Sequence, residues 1–280
     1  MRNVIHRTCP YCGQDNTDSI PTDFGNRDWP IKTCNACGFV YMEIAPVYER
    51  LSEEFSWEKT SVAETNRRIS QEPIKQFISK QLKAFRRRWI RRNKLPWLIR
   101  HYVVPGNVLD VGCAGGGVIN NLDQIYIPHG IEISQALAPR AHEQAKLRGG
   151  YVVHDNALSG LRKFPADYFS GVLLSSFLEH EINPMVLLKE VYRTLVPFGR
   201  CIVKVPNFAS INRVLRGKRW CGFRLPDHVN YFTPASLVGM CRKVGFHIER
   251  FTITDRLPTS DSMWIVVQKP NPAVNTDAAR

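Results

Sequence analysis

Val108-Leu109-Asp110-Val111-Gly112-Cys113-Ala114-Gly115-Gly116-Gly117 decides how this chain is read, because a short apolar run passes directly into a glycine-rich turn. Residues 107–111 predict a buried strand and 117–123 a helix, so the glycines fall where the strand's carboxyl end becomes a helix. Glycine there lets the backbone pass close to a bound ligand. Alone the loop is weak evidence, since dinucleotide dehydrogenases place Gly-x-Gly-x-x-Gly at the same turn. Asp110 is the first discriminator: a carboxylate two residues ahead of Gly112 repels a pyrophosphate but suits an ammonium group. A second acid, Glu132, ends the next expected strand 22 residues later, the spacing at which a carboxylate takes both ribose hydroxyls. A third strand ends at His154-Asp155, where a carboxylate would accept from an adenine amino group. Taken singly, Asp110 reads equally as a helix-capping acid and Glu132 as a solvated loop acid. Their placement at successive strand ends favours ligand binding.

Outward from the loop, short apolar strands alternate with helices. Strands are expected at 129–133, 151–154, 171–175 and 200–205, with helices at 134–147, 184–195 and 233–244. Two more strand-like runs, 247–254 and 263–268, have no helix between them and would pair as an antiparallel hairpin at one edge. The pattern implies an α/β fold: a doubly wound, mainly parallel seven-stranded sheet covered on both faces.

These residues resemble class I S-adenosylmethionine-dependent methyltransferases over about 107–268. The resemblance rests on Val108–Gly117, Gly130-Ile131-Glu132, Phe177-Leu178-Glu179-His180, Leu195-Val196-Pro197-Phe198-Gly199, Val205-Pro206-Asn207, His228-Val229-Asn230-Tyr231-Phe232-Thr233 and Gly245-Phe246. It is strongest to the bacterial branch of ubiquinone-pathway O-methyltransferases and small-molecule and surface-saccharide tailoring enzymes. The resemblance implies that Asp110, Gly112 and Gly116 line the methionine part of S-adenosylmethionine, Glu132 the ribose and Asp155 the adenine. The family's middle glycine is Ala114 here, small enough to keep the loop. Two turns are less regular than the pattern, with Phe198 in the Leu-x-Pro-Gly-Gly stretch and Ser170 where an Asp usually opens strand four. The resemblance also implies a Glu-x-x-Glu-His magnesium motif, but its first Glu is Ser176 in this chain, which puts that metal in doubt.

At the N-terminus, Cys9-Pro10-Tyr11-Cys12-Gly13 and Cys34-Asn35-Ala36-Cys37-Gly38 form two Cys-x-x-Cys-Gly knuckles. Two thiolates three positions apart face one ion across a tight turn, and two such turns supply the four soft ligands of a closed, structural Zn²⁺ site. A redox dithiol would not need doubling, and disulfides are disfavoured in the cytoplasmic compartment expected for this chain. Cys113, Cys201, Cys221 and Cys241 show no ligand spacing. The expected organisation is a zinc ribbon at 1–45, a connector and basic amphipathic helix at 46–100 with the helix stopping before Pro96, a methyltransferase domain at 101–270 and a disordered tail at 271–280.

The chain has 280 residues with 38 basic and 25 acidic side chains, a formal charge of +13. The excess is local: 67–100 carries twelve Lys/Arg against one acid, and 193–224 carries eight against none. Two local patches mark a lip around an anionic ligand as readily as a nucleic-acid surface. No run reaches the roughly 18 apolar residues of a spanning helix, and no signal-peptide core precedes Cys9. Oligomeric state is not legible.

For chemistry, methyl transfer from a sulfonium is an in-line displacement, so a protein positions the acceptor and removes its proton where there is one. His180, after strand four, and His228, in the segment after strand five, are the candidate general bases. Each also has a bland alternative, packing beside the cofactor for His180 and bonding a carbonyl for His228. Residues 207–224 interleave Arg213, Arg216, Lys218, Arg219 and Arg224 with Phe208, Trp220 and Phe223, a composition that grips phosphate and stacks on rings, or simply a solvated helix. The leading expectation is methylation of O or N on a small-molecule or saccharide-linked, anionic acceptor. RNA is the alternative acceptor, and a non-catalytic binding protein the alternative class.

Overall fold

The computed structural model describes residues 4–47 and 94–271. The connector with most of the basic helix, and the tail beyond 271, lie outside the described residues.

The strands are β1 Val4–His6, β2 Ile31–Thr33, β3 Val40–Met42, β4 Ile44–Pro46, β5 Gly106–Val111, β6 Tyr126–Glu132, β7 Val152–His154, β8 Phe169–Ser175, β9 Leu195–Pro206, β10 Asn230–Tyr231, β11 His247–Arg250 and β12 Ser262–Gln268. The described helices are α1 Lys94–Tyr102, α2 Gly117–Asn121, α3 Ala138–Lys146, α4 Ala157–Arg162, α5 Pro184–Thr194, α6 Ile211–Arg216 and α7 Pro234–Val244.

Seven strands form one sheet in the order β11-β12-β9-β8-β5-β6-β7. Neighbours from β9 to β7 are parallel, and β12 alone runs antiparallel to both its neighbours. The expected hairpin is present, with β12 inserted between β9 and β11. Parallel strands buried on both sides need no polar alternation, and six of the seven residues of β8 are buried. The pleat divides the side chains between two cores. Leu109, Val111, Val172 and Leu174 pack with α4, α5 and α7, while Val108 and Leu173 pack with Leu95, Leu98 and Ile99 of α1.

Local signals set several boundaries. α7 begins at Thr233, whose side chain accepts from the Ser236 N–H in a reciprocal capping box, with Pro234 in the first turn. It ends at Gly245, at φ 109°. Pro139 sets the start of α3, so the helix opens at Ala138 and not at residue 134. Pro96 lies within α1, and the end of the expected basic helix ahead of Lys94 falls outside the described residues.

The N-terminal residues are tied to the large sheet's surroundings. β10 pairs antiparallel with β3, through Asn230 with Tyr41 and Tyr231 with Val40, and becomes the third strand of the β2-β3 sheet. Cys9, Cys34, Phe39 and Tyr41 belong to the same buried cluster as Phe232, Leu237 and Met240.

Candidate active site and metal centre

The carboxyl ends of the parallel strands converge beside β5, where the order reverses toward β8 on one side and β6 on the other. Such a switch point leaves a crevice for a ligand. Gly112 and Gly116 hold φ 73° and 82°, a region that an L side chain enters only at a cost. A Cβ on Gly112 would stand 2.6 Å from the Phe177 ring, and one on Gly116 would stand 3.2 Å from Ala141 Cα, so both positions need glycine for space as well. Ala114 takes φ 46° with no glycine to relieve it. Its N–H donates to Glu132 Oε2 at 2.7 Å, while Glu132 Oε1 accepts from Ser134 N–H at 2.8 Å. Glu132 therefore fixes the loop.

Asp110 is 4% exposed. Burial, and then the charge of Glu132, raises its carboxyl to about 7. Among the described residues no Lys or Arg forms an ion pair with Asp110. Two carboxylates at adjacent strand ends, one of them buried without a cation, are the acceptors that a ligand with an ammonium group and ribose hydroxyls requires, so the residues present fit S-adenosylmethionine. Asp155, just beyond β7, accepts from its neighbour Asn156 N–H at 2.8 Å and pairs with Lys163 at 2.7 Å.

Opposite this loop, His180 and His228 are brought together, ring centroids 4.6 Å apart and edge to face. His180 Nδ1 donates to Asp227 Oδ1 at 2.9 Å and lies 2.9 Å from the Asp227 carbonyl oxygen. Arg224 Nη2 stands 2.8 Å from the other carboxylate oxygen of Asp227. Burial alone would lower the His180 imidazole, but the Asp227 charge and hydrogen bond override it and lift it to about 9. In return Asp227 is held at about 2, against its own burial, chiefly by His180. His228 is 5% exposed and its Nδ1 donates to the Gly222 carbonyl at 2.9 Å. Burial, reinforced by the His180 charge, drops it to about 3, so it is neutral. With both Nδ1 atoms bound to oxygen, the Nε2 of each neutral imidazole carries the lone pair.

Glu179 is 1% exposed, its carboxyl raised by burial, and Oε2 has no hydrogen-bond partner among the described residues. Glu179, His180 and His228 offer donor atoms within 4.8 Å of one another. Magnesium demands hard oxygen ligands. With Ser176 at the motif's first position only one carboxylate remains among these three residues, so the set does not fit magnesium.

The loop carrying His180 is held by residues that the sequence did not single out. Asn230 Nδ2 donates to the carbonyls of Leu178 and Glu181, and the N–H groups of Val229 and Asn230 donate to the Glu179 carbonyl. Arg7 reaches in from the N-terminal strands and donates to the carbonyls of Met42, Val229 and Ile182 and to Asn230 Oδ1, all at 3.0 Å or less. Asn230 lies inside a motif already quoted. Arg7 carries no local signal at all.

The four N-terminal cysteines present sulfurs within 4.8 Å of one another, with Cys9 to Cys37 at 3.6 Å and Cys12 to Cys34 at 3.5 Å. Zinc at about 2.3 Å from each sulfur sets tetrahedral edges of about 3.8 Å, so this spacing fits the ion. Both knuckles are built alike: Gly13 N–H donates to Cys9 O and Gly38 N–H to Cys34 O, each glycine at positive φ.

Comparison with known proteins agrees with this geometry. A family model described as a methyltransferase domain matches residues 74–250, more than half of the chain. The chain belongs to this methyltransferase family. It is thus an S-adenosylmethionine-dependent enzyme, and the expected cofactor class and doubly wound sheet both stand. Solved structures share the methyltransferase fold. A putative methyltransferase from Bacillus halodurans is 16% identical with a TM-score of 0.50, covering 64% of this chain and all of its own. A SAM-dependent methyltransferase from Archaeoglobus fulgidus is 18% identical, TM-score 0.47, covering 67% of this chain and 99% of its own. Another from Thermotoga maritima, described as a possible histamine N-methyltransferase, is 18% identical, TM-score 0.48, covering 69% and 97%. No curated protein matches. No helix among the described residues is long and apolar enough to cross a membrane.

Proposed function

We propose that the enzyme transfers the methyl group of S-adenosylmethionine to an oxygen or nitrogen of a small-molecule or saccharide-linked anionic acceptor, with His180 as general base. The observation that carries this reading is the Asp227–His180 pair. The carboxylate holds Nδ1–H and leaves Nε2 as the proton-accepting atom, on the loop after β8 that faces the glycine turn. Asp110, Gly112, Ala114, Gly116, Glu132 and Asp155 hold the cofactor: Asp110 takes its ammonium group, Glu132 its ribose, and Asp155 its adenine on exchanging Lys163. The bound cofactor supplies an electrophilic methyl group. His228, neutral and fixed by Gly222, backs the His180 ring and keeps a second charge out of the site. Residues 193–224, which run from the end of α5 to this site, carry eight basic side chains and no acid, and that excess suits an anionic acceptor.

RNA is the weaker acceptor. Phe208, Trp220 and Phe223, which composition offered as a stacking surface, are 8%, 1% and 6% exposed and form a buried cluster with Ile31, Val40 and Tyr231. Cys9, Cys12, Cys34 and Cys37 hold one structural Zn²⁺, with no position left for substrate.

The test is twofold. S-adenosylhomocysteine should raise the melting temperature, because a ligand of the folded state alone must stabilise it. A panel of carboxylated and phosphorylated saccharides and phenols should contain acceptors labelled from methyl-tritiated cofactor, and transfer only to RNA would overturn the acceptor class.

A further inference from the structure

Helix α6 is inside out. In a surface helix the apolar stripe faces the core, but here the polar residues face inward. Asn212 Nδ2 donates to Asp261 Oδ2 at 3.2 Å, Arg213 Nε donates to the Phe208 carbonyl at 2.8 Å, and the Arg213 guanidinium lies 4.5 Å over the Phe208 ring. Ile211, Val214 and Leu215, at i, i+3 and i+4 and so on one face, are 46%, 65% and 78% exposed. No residue of the helix is buried. The platform is fixed at its base, since Ser210 Oγ and Trp220 Nε1 both donate to Asp261 Oδ1. Beyond the helix, Lys218 and Arg219 are exposed, and no acid occurs anywhere in 193–224.

We infer that this face docks on an anionic phospholipid surface, the three aliphatic side chains entering the headgroup boundary while Lys218 and Arg219 pair with lipid phosphates. Aliphatic protrusion beside exposed cations is the chemistry of interfacial binding. Two other occupants are excluded by charge. Segment 67–100 and a second copy of this face are both strongly basic and would be repelled. RNA would need exposed rings to stack on, and the rings of this segment are buried. The face follows β9 by four residues, at the same end of the sheet as the glycine turn, so an enzyme seated on it holds its acceptor side toward the bilayer.

The full chain, sedimented with vesicles of phosphatidylcholine and phosphatidylglycerol, should bind them and should bind pure phosphatidylcholine weakly. The Val214→Ser/Leu215→Ser double variant should keep its melting temperature and lose at least tenfold in partition. Lys218→Glu and Arg219→Glu should each lose about fivefold, with a shallower salt dependence. Equal partition of the wild type and the double variant would overturn the inference. So would a double variant that loses affinity for an RNA oligonucleotide while keeping vesicle binding, or one that only converts a dimer to a monomer.

Discussion

His180 Nδ1 stands 2.9 Å from Asp227 Oδ1, and this one contact sets the charge of both groups and the atom left to do chemistry. An imidazolium held to about 9 cannot accept a proton, so kcat/KM for an acceptor that must be deprotonated should rise with pH toward about 9. Asp227→Asn removes the charge that holds the proton. Its pH profile should level off nearer the ordinary histidine value of about 6.5, with maximal turnover lower by about 100-fold.

The same pair links stability to pH. Because the folded His180 value is raised, its contribution is fully present below about 6.5 and is lost as pH climbs through about 9. Asp227, held down, contributes above about 4, and that contribution is lost as pH falls toward about 2. The melting temperature of the wild type should therefore decline between about pH 7 and 10 more steeply than that of His180→Gln, and equal slopes would remove the linkage.

Asp110 and Glu132 place two acids at neighbouring strand ends, and the burial of Asp110 makes its ionisation costly near neutral pH. The ligand's ammonium group offsets that cost. Affinity for S-adenosylhomocysteine should rise between about pH 6 and 8 as Asp110 ionises, with proton release visible when titration heats are compared across buffers. Asp110→Asn should bind roughly 10- to 100-fold more weakly, as the loss of a charge-assisted hydrogen bond implies, and without the pH dependence.

Ala114 occupies φ 46°, where a Cβ crowds its own carbonyl. Ala114→Gly relieves about 1 kcal/mol and should raise the melting temperature by roughly 2–4 °C, with cofactor affinity unchanged within a few-fold.

The cysteine cluster predicts one zinc per chain by elemental analysis. Cys12→Ser, at an exposed position that disturbs no packing, should lose the metal and roughly 10 °C of melting temperature, since metal-binding free energy in such a site is folding free energy. The loss should reach catalysis as well, because β3 carries β10, and Arg7 ties Met42 to Ile182 and Val229. Turnover should fall more than cofactor affinity.

What was legible in the sequence is what is local. The glycine turn, the acids at strand ends, the paired knuckles and the helix expected at 233–244 each lie within one short stretch and carry their geometry with them. What escaped depends on contacts between distant segments. Arg7 bonds a carbonyl 222 residues away, and nothing around it announces that. Asp227 was visible only as a neighbour of His228, yet its partner is His180, 47 residues earlier. The aromatics of 207–224 and the basic residues between them looked like one surface. Folding divides that stretch, sending the rings inward with Arg213 laid over Phe208 and leaving aliphatic side chains, Lys218 and Arg219 outside, a division that composition does not encode.

The most direct measurement is single-turnover transfer of tritiated methyl from bound S-adenosylmethionine to the best anionic acceptor, for wild type and His180→Gln side by side. The variant should keep cofactor affinity within twofold and transfer the methyl group at least about 100-fold more slowly, the range of a lost general base. Equal transfer rates at every pH between 6 and 10 would rule out His180 as the base.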